Sequence, residues 1–426
     1  MSTINQMIQS LKTPAAEEQL LRLYGSRPGQ LAAQQARYAS VLERLAQMPR
    51  EEGPVWLVSA PGRTEIGGNH TDHNRGRVLA AAVNLDTVAA VSPRSDGWIH
   101  VRSEGYDPIN VSLASLAPVP QEEGTTAGVI RGVAARMQEL GLRIGGFDAA
   151  VTSTVAPGSG LSSSAAFEVL TCAILDQLYN GFSVDFITCA KIGQYAENVY
   201  FGKPSGLLDQ MASAAGGLVT VDFLEDNPQV ERLSYDFAQK GFALVVVGTG
   251  GSHADLTADY AAIPAEMKQV AAALGGEVLA RVPEETFRAA LPRLRGQLSD
   301  RALLRAIHFY HETDRVPRQV AALREDRLPD FLREICASGR SSFMYLQNVF
   351  ARPEEQGLSL ALALAEEMLE GRGAWRVHGG GFAGTTLNFV PTDLLDGFVT
   401  RMEAVFGAGS CHVLDIRPVG AYVLRL

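Results

Sequence analysis

The chain has 426 residues, of which 46% are hydrophobic and 20% charged, with 42 glycines and a net charge of −10. This excludes a disordered chain and indicates a soluble globular protein with material for two cores. So acidic a surface repels nucleic acid and anionic membrane, so a basic site for a phosphorylated ligand must be local. The cysteines, Cys172, Cys189, Cys336 and Cys411, form no CxxC pair and no small disulfide framework, and reduced, buried thiols are expected. Met1 to Lys12 lacks the apolar centre of a signal peptide, and no long uncharged apolar run follows. A cytoplasmic location is expected.

Within residues 1 to 50, helical spacing at Leu20, Leu21, Leu23 and Tyr24, and again at Tyr38, Val41, Leu42 and Leu45, predicts two short helices interrupted by Gly25 to Gly29. Pro54 opens a strand, Val55 to Ala60, which runs into a polar turn from Pro61 to Asn74; a second β-rich segment spans Val78 to Val91. A polar loop between strands holds side chains at a sheet edge, where catalytic groups sit on a rigid scaffold. Arg63, Asp72 and His73 read equally well as a solvated ion cluster. His70 and His73 with His308, His311 and Glu312 offer metal ligands, but the absence of HExxH and of paired cysteines speaks against zinc.

A helix is predicted over Val129 to Leu140 and a strand over Gly146 to Val155. The strand leads into Ala156-Pro157-Gly158-Ser159-Gly160-Leu161-Ser162-Ser163-Ser164-Ala165-Ala166-Phe167-Glu168. Gly158 and Gly160 allow positive φ, so backbone N–H groups can converge on one point, and the apolar run to Leu178 is helix-length. The first turn of a helix has unpaired donors and the positive end of the dipole, which suits a phosphate. A serine-rich N-cap on a buried helix needs no ligand, and this stretch alone leaves both readings open.

A second helix, Val184 to Tyr200, ends at Gly202, and turn residues then deliver Asp209 at the head of an apolar run, Met211 to Val221. Asp209 is open to reading as an N-cap and Glu197 as a surface residue. Two carboxylates joined by a Gly/Pro loop also allow one to serve a metal and the other a substrate hydroxyl. Glu225 to Gly241 reads as a crossing between halves and Phe242 to Gly248 as an apolar strand. Helices are expected across 262 to 370, β structure around the Gly-rich turn within Trp375 to Pro391, and again over Val413 to Leu426. His378-Gly379-Gly380-Gly381 matches a lipase oxyanion motif, but no GxSxG elbow accompanies it.

Residues 62 to 74 resemble the galactokinase signature, Gly158 to Ala165 the phosphate loop of the GHMP kinases, and His378 to Thr385 their third motif. Gly202 to Gln210 is similar to the loop carrying their catalytic Asp, and Arg305 to Arg315 to one of their helices. The resemblance implies an α+β, two-domain GHMP kinase fold with the active site in the interdomain cleft: a helical extension over 1–53, an N-terminal domain over 54–225 and a C-terminal domain over 226–426. It also implies ATP and Mg²⁺ as cofactors. Asp209 and Arg63 match the catalytic positions. Gly158, Ser159, Gly160, Leu161, Ser162, Ser163 and Ser164 match the ATP loop. Ser164 and Glu197 match the metal ligands, with Glu168 as an alternative, and Asn69, His70, Asp72, Gly206 and Tyr260 match sugar contacts. The implied partners are a small sugar and ATP, without nucleic acid or membrane, on a monomer or weak homodimer.

Departures from the family pattern are Asn69 for Glu, His73 for Tyr, Thr126 for a Trp, and Ala261 to Pro264 for an Asn with paired Arg. With Asn at 69, relaxed selectivity at carbon 6 of the sugar and tolerance of a uronic acid are expected. The implied activity is phosphorylation of the anomeric hydroxyl of galactose or a close relative. Another sugar (N-acetylgalactosamine, a pentose or a uronic acid) and a catalytically silent sugar sensor are the alternatives.

Overall fold

Three helices open the chain rather than two: α1 (Ser2–Ser10), α2 (Pro14–Tyr24) and α3 (Gln30–Ala46). The added α1 carries Ile4, Met7 and Ile8 at helical spacing in a polar stretch, and Thr13 then caps α2 by accepting from the Ala16 N–H. Ile4, Leu11, Leu20, Leu23, Tyr24, Tyr38, Val41, Leu42 and Leu45 are buried against Leu57, Val88 and Ala90. The extension is therefore part of the folded body. The computed structural model describes residues 2–156, 158–203, 205–251 and 256–426; Pro157 of the serine loop and Pro204 of the acid loop lie outside them.

The first half of the chain supplies β1 (Trp56–Gly67), β2 (Arg77–Arg94), β3 (Trp98–Ser103), β4 (Ile109–Ser112) and β5 (Gly146–Ser153). After them come β6 (Leu218–Asp222) and β7 (Gln229–Leu233). The helices of this part are α4 (Thr126–Glu139), α5 (Ser163–Tyr179), α6 (Phe186–Tyr195) and α7 (Leu208–Ala215). The long strand β2 pairs with β1 along one edge and with β5 and β6 in turn along the other. Helices α4 to α7 bury Val129, Val133, Leu170, Ile174, Ile192 and Met211 against one face of the sheet.

The second half supplies β8 (Phe242–Gly248), α8 (Thr257–Ala273), α9 (Glu284–Leu294), α10 (Asp300–Arg324), α11 (Leu328–Ser341) and α12 (Gly357–Leu369). It ends with β9 (Ala374–His378), β10 (Thr385–Pro391), α13 (Leu395–Phe406), β11 (Cys411–Leu414) and β12 (Tyr422–Leu424). Among the described residues, a four-stranded antiparallel sheet runs β11-β8-β10-β9. Leu244, Val246, Phe331, Ile335 and Phe389 face Ile66, Leu79, Ala81 and Val83 of the first sheet, so β1 and β2 are covered on both faces. Among the described residues no helix is long and apolar enough to cross a membrane.

Three expectations need correction. The polar turn begins only after Gly67: β1 continues through Arg63 and Glu65 because β2 pairs it, with register shifts on either side of Arg63–Glu65 that re-aim the side chains. The serine-loop helix opens where expected, with Ser163 and Ser164 in its first turn and Ser162 bordering it in a left-handed conformation. The second helix gives way after Tyr195 to a π-helix, Ala196–Phe201, which carries Glu197. The boundary at 225/226 falls between two strands of one sheet, because β7 pairs with β6, and β12 returns to pair with β1. Backbone pairing joins segments far apart in the chain, which local composition does not encode.

Candidate active site

Arg63, on β1, and Asp209, in the first turn of α7, form a two-pronged ion pair. Nε donates to Oδ1 at 2.6 Å and Nη2 to Oδ2 at 2.8 Å. The third guanidinium nitrogen donates to the Gly160 carbonyl. Burial alone would raise the Asp209 carboxyl, but Arg63 and a hydrogen bond from Ser162 hold it below the ordinary aspartate value. Asp209 is not an N-cap; Leu207 occupies that position. The Ser162 hydroxyl donates to Asp209 Oδ2 at 2.7 Å and so ties the glycine loop to the acid.

Gly158 and Gly160 have φ of 76° and 74°, and Ser162 has 57°. A cavity of about 280 Å³ lies over this loop, lined by Arg63, Ser162, Ser163, Ser164, Lys203, Asp209 and, from the other half of the chain, Gly379 to Gly381. Ser159 is turned away from it: its hydroxyl donates to the Ala156 carbonyl at 2.6 Å. Leu161 is buried and its carbonyl accepts from the Arg63 N–H.

His378 joins the two motifs. Its Nε2 accepts from the Glu65 N–H at 3.2 Å and lies 3.1 Å from the Thr64 hydroxyl, which leaves the ring proton on Nδ1, 2.9 Å from the Thr385 hydroxyl. Burial, with Arg63 and Arg376 nearby, drives its pKa well down, so the ring is neutral. A Cβ on Gly160 would fall 2.5 Å from Thr385 Oγ1 and 3.0 Å from His378 Nδ1. Gly160→Ala is therefore expected to lower kcat/KM for the nucleotide by about 10²-fold through displacement of the loop; steady-state kinetics at varied nucleotide checks it, and unchanged kinetics would contradict the packing argument.

Behind the cavity, Glu197 Oε1 meets Lys203 Nζ at 3.0 Å and the Ser164 hydroxyl at 3.4 Å. Gln210 donates from Nε2 to Glu197 Oε2 and Glu168 Oε2, both at 2.8 Å, and fixes which Glu197 oxygen faces Ser164. Among the described residues, Glu168 Oε1 and Gln210 Oε1 are buried without hydrogen-bond partners. Burial and the neighbouring Glu197 push the Glu168 carboxyl well up. Among the described residues no group of three or more His, Cys, Asp or Glu could hold a metal ion. Ser164 and Glu197 form a smaller set, one hydroxyl and one carboxylate, of the kind that suits Mg²⁺ when phosphates and water complete its shell.

On the acceptor side, Asp72 lies so close to Gly206 that a Cβ there would be 2.1 Å from Oδ2. His70 Nε2 lies 3.0 Å from the Gly380 carbonyl and is its donor, and burial pushes the His70 pKa down to about 4. The Tyr260 hydroxyl donates to the Gly381 carbonyl at 3.0 Å.

Asn69 requires a correction. Its Nδ2 donates to Glu65 Oε1 at 2.9 Å and to the Gly379 carbonyl at 2.7 Å, Oδ1 accepts from Asn348 at 3.0 Å, and the residue is 0% exposed. Both amide hydrogens are spent, so Asn69 braces β1 against the third-motif glycines and does not face the cleft. His308 and Glu312 are likewise committed: His308 bonds the Asn69 carbonyl and Ser341, and Glu312 pairs with Arg315 at 3.1 Å. Lys203, Gln210, Arg376 and Glu65 were not singled out from the sequence. Lys203 and Gln210 adjoin motif residues; Arg376 and Glu65 gain their meaning only from each other across 311 positions.

The family model for the galactokinase galactose-binding signature matches residues 47–93, and that for the GHMP kinase N-terminal domain matches residues 128–217. The chain is 34% identical to the galactokinase of Streptomyces coelicolor over 87% of its own length and 93% of the relative's. It is 32% identical to the human galactokinase over 93% and 100%. The crystal structure of Lactococcus lactis galactokinase complexed with galactose superimposes with a TM-score of 0.77 at 22% identity, covering 92% of this chain and 99% of that one.

Proposed function

The chain belongs to the galactokinases of the GHMP kinase family, and on that premise we propose that it transfers the γ-phosphoryl group of ATP to the anomeric hydroxyl of galactose or a close relative. The observation that carries this reading is the Arg63–Asp209 ion pair beside the glycine loop at the N-terminus of α5. Asp209, kept ionised, accepts the proton of the anomeric hydroxyl or orients it. The hydroxyl oxygen attacks the γ-phosphorus, the bond to the β,γ-bridging oxygen breaks, and ADP leaves. Arg63 lies where charge develops on the attacking and transferred oxygens. Backbone N–H groups of the loop and first turn of α5 cradle phosphate oxygens, with Ser163, Ser164 and Lys203 at the cavity wall. Asp72, His70, Gly206 and Tyr260 bound the sugar. Mg²⁺, held by Ser164 and Glu197, would neutralise phosphate charge.

The test is a panel of sugars with ATP and Mg²⁺, read as ADP release. Steady release with galactose is the expected result, and it eliminates a silent sensor; ATP binding without turnover on any sugar would overturn the reading. Glu197→Gln is expected to raise the Mg²⁺ concentration needed for half-maximal activity by about tenfold or more. Mg²⁺ titrations that overlay the parent would place the ligand elsewhere.

A further inference from the structure

Withdrawal of Asn69 from the cleft leaves open which group reads the far end of the acceptor. Between the two irregularities of β1 the pairing is regular, Arg63 with Ala82 and Glu65 with Ala80, so Arg63 and Glu65 project from the same face of the strand. Two residues along a strand span about 6.6 Å, comparable to the reach of a pyranose from its anomeric hydroxyl to the substituent at the opposite end. Arg63 is fixed at the Asp209 end. Glu65 therefore stands where the far end of the sugar would lie.

The Glu65 carboxylate is divided in its commitments. Oε1 accepts from Asn69 Nδ2 at 2.9 Å and from the fully buried Arg376 at 2.6 Å. Among the described residues Oε2 has no hydrogen-bond partner, and the side chain keeps 8% of its surface exposed. Asn69 and Arg376 hold one oxygen from behind, and the other is available. Burial pushes this carboxyl up, while Arg376 and Arg63 oppose that shift.

We infer that Glu65 is the specificity-determining carboxylate of the acceptor site, accepting a hydrogen bond from a neutral hydroxyl at the end remote from the anomeric carbon and excluding acceptors that carry an anionic group there. The inference rests on the sugar-kinase reading above, and it reverses the tolerance of a uronic acid expected from Asn at position 69. The electrostatic barrier is present, four residues earlier in the chain.

The experiment compares kcat/KM for galactose and galacturonate at about pH 8 in the wild type, Glu65→Gln and Glu65→Asp. Both rates come from one preparation, so their ratio does not depend on the folded fraction. The expected result is a wild-type preference for galactose of at least about 10²-fold, reduced at least tenfold by Glu65→Gln and kept by Glu65→Asp, which preserves the charge. Should Glu65→Gln fail to fold, Glu65→Asp with galactose and 6-deoxygalactose decides: drawing the carboxylate back by one methylene should narrow their ratio, and an unchanged ratio overturns the inference. A wild type that phosphorylates both sugars equally well, or a Glu65→Gln protein with the wild-type ratio, overturns it while leaving the kinase reading intact. Turnover on no sugar overturns the kinase reading and this inference with it.

Discussion

Asp209→Asn is expected to lower kcat by at least about 10²-fold while changing ATP binding much less. The carboxylate takes three donors, two from Arg63 and one from Ser162, at 2.6 to 2.8 Å. An amide of the same shape turns one acceptor into a donor, and because both carboxylate oxygens accept from Arg63 the NH₂ group opposes the guanidinium in either orientation; the charge that drew the hydroxyl proton is also gone. The glycine loop is affected only through Ser162, because Arg63 still holds the Gly160 carbonyl. ADP release at saturating sugar, with nucleotide affinity from calorimetry, measures the two effects separately. Near-normal turnover would remove Asp209 from the chemistry. The acid limb of the rate profile provides a second check: the pKa is depressed, so the active ionised form persists below the ordinary aspartate value and is lost only as pH falls through the folded value.

The largest stability effect is expected at Asp86→Ala, about 3–5 kcal/mol. Asp86 is fully buried on β2 and pairs with Arg37 of α3 at 2.6 Å and with the fully buried Arg417 at 2.8 Å. Tyr24 of α2 donates to it at 2.6 Å, and Ser59 of β1 also donates. Removing the carboxylate strands two guanidinium groups in the interior and detaches the helical extension and the C-terminal segment from the sheet together. Burial would raise the Asp86 pKa, but Arg37 and Arg417 prevail and hold it below its ordinary value. The sign follows: this stabilisation is present above the unfolded-state pKa and is lost as pH falls through the lower folded-state value. Denaturant unfolding at neutral pH measures it, and a loss below about 1 kcal/mol would show that the cluster is not a joint of the fold.

Much of this was legible in the sequence because it depends on neighbours in the chain. The apolar run Phe242–Gly248 is a strand with the predicted limits, and Gly158, Gly160 and Ser162 take positive φ in a loop directly ahead of a buried helix that Ser163 and Ser164 open. The resemblance set Arg63 and Asp209 in one site, and they meet there. Local pattern did not decide where β1 ends: Pro61 and the polar residues after it read as a turn, yet pairing with β2 carries the strand on to Gly67. That pairing sets which way each side chain points. It turns Glu65 to the face of Arg63, and Glu65 and the Gly379 carbonyl of the third motif, more than 300 positions away, then take one hydrogen each of the Asn69 amide. Arg376 and Arg417 are buried because carboxylates from distant strands reach them, and β12 closes the first sheet from the end of the chain. Residue types and short-range spacing fixed which chemistry was possible; strand phase and long-range pairing, which are properties of two segments at once, decided which polar side chains share a face with Arg63 and which are tied to the third motif.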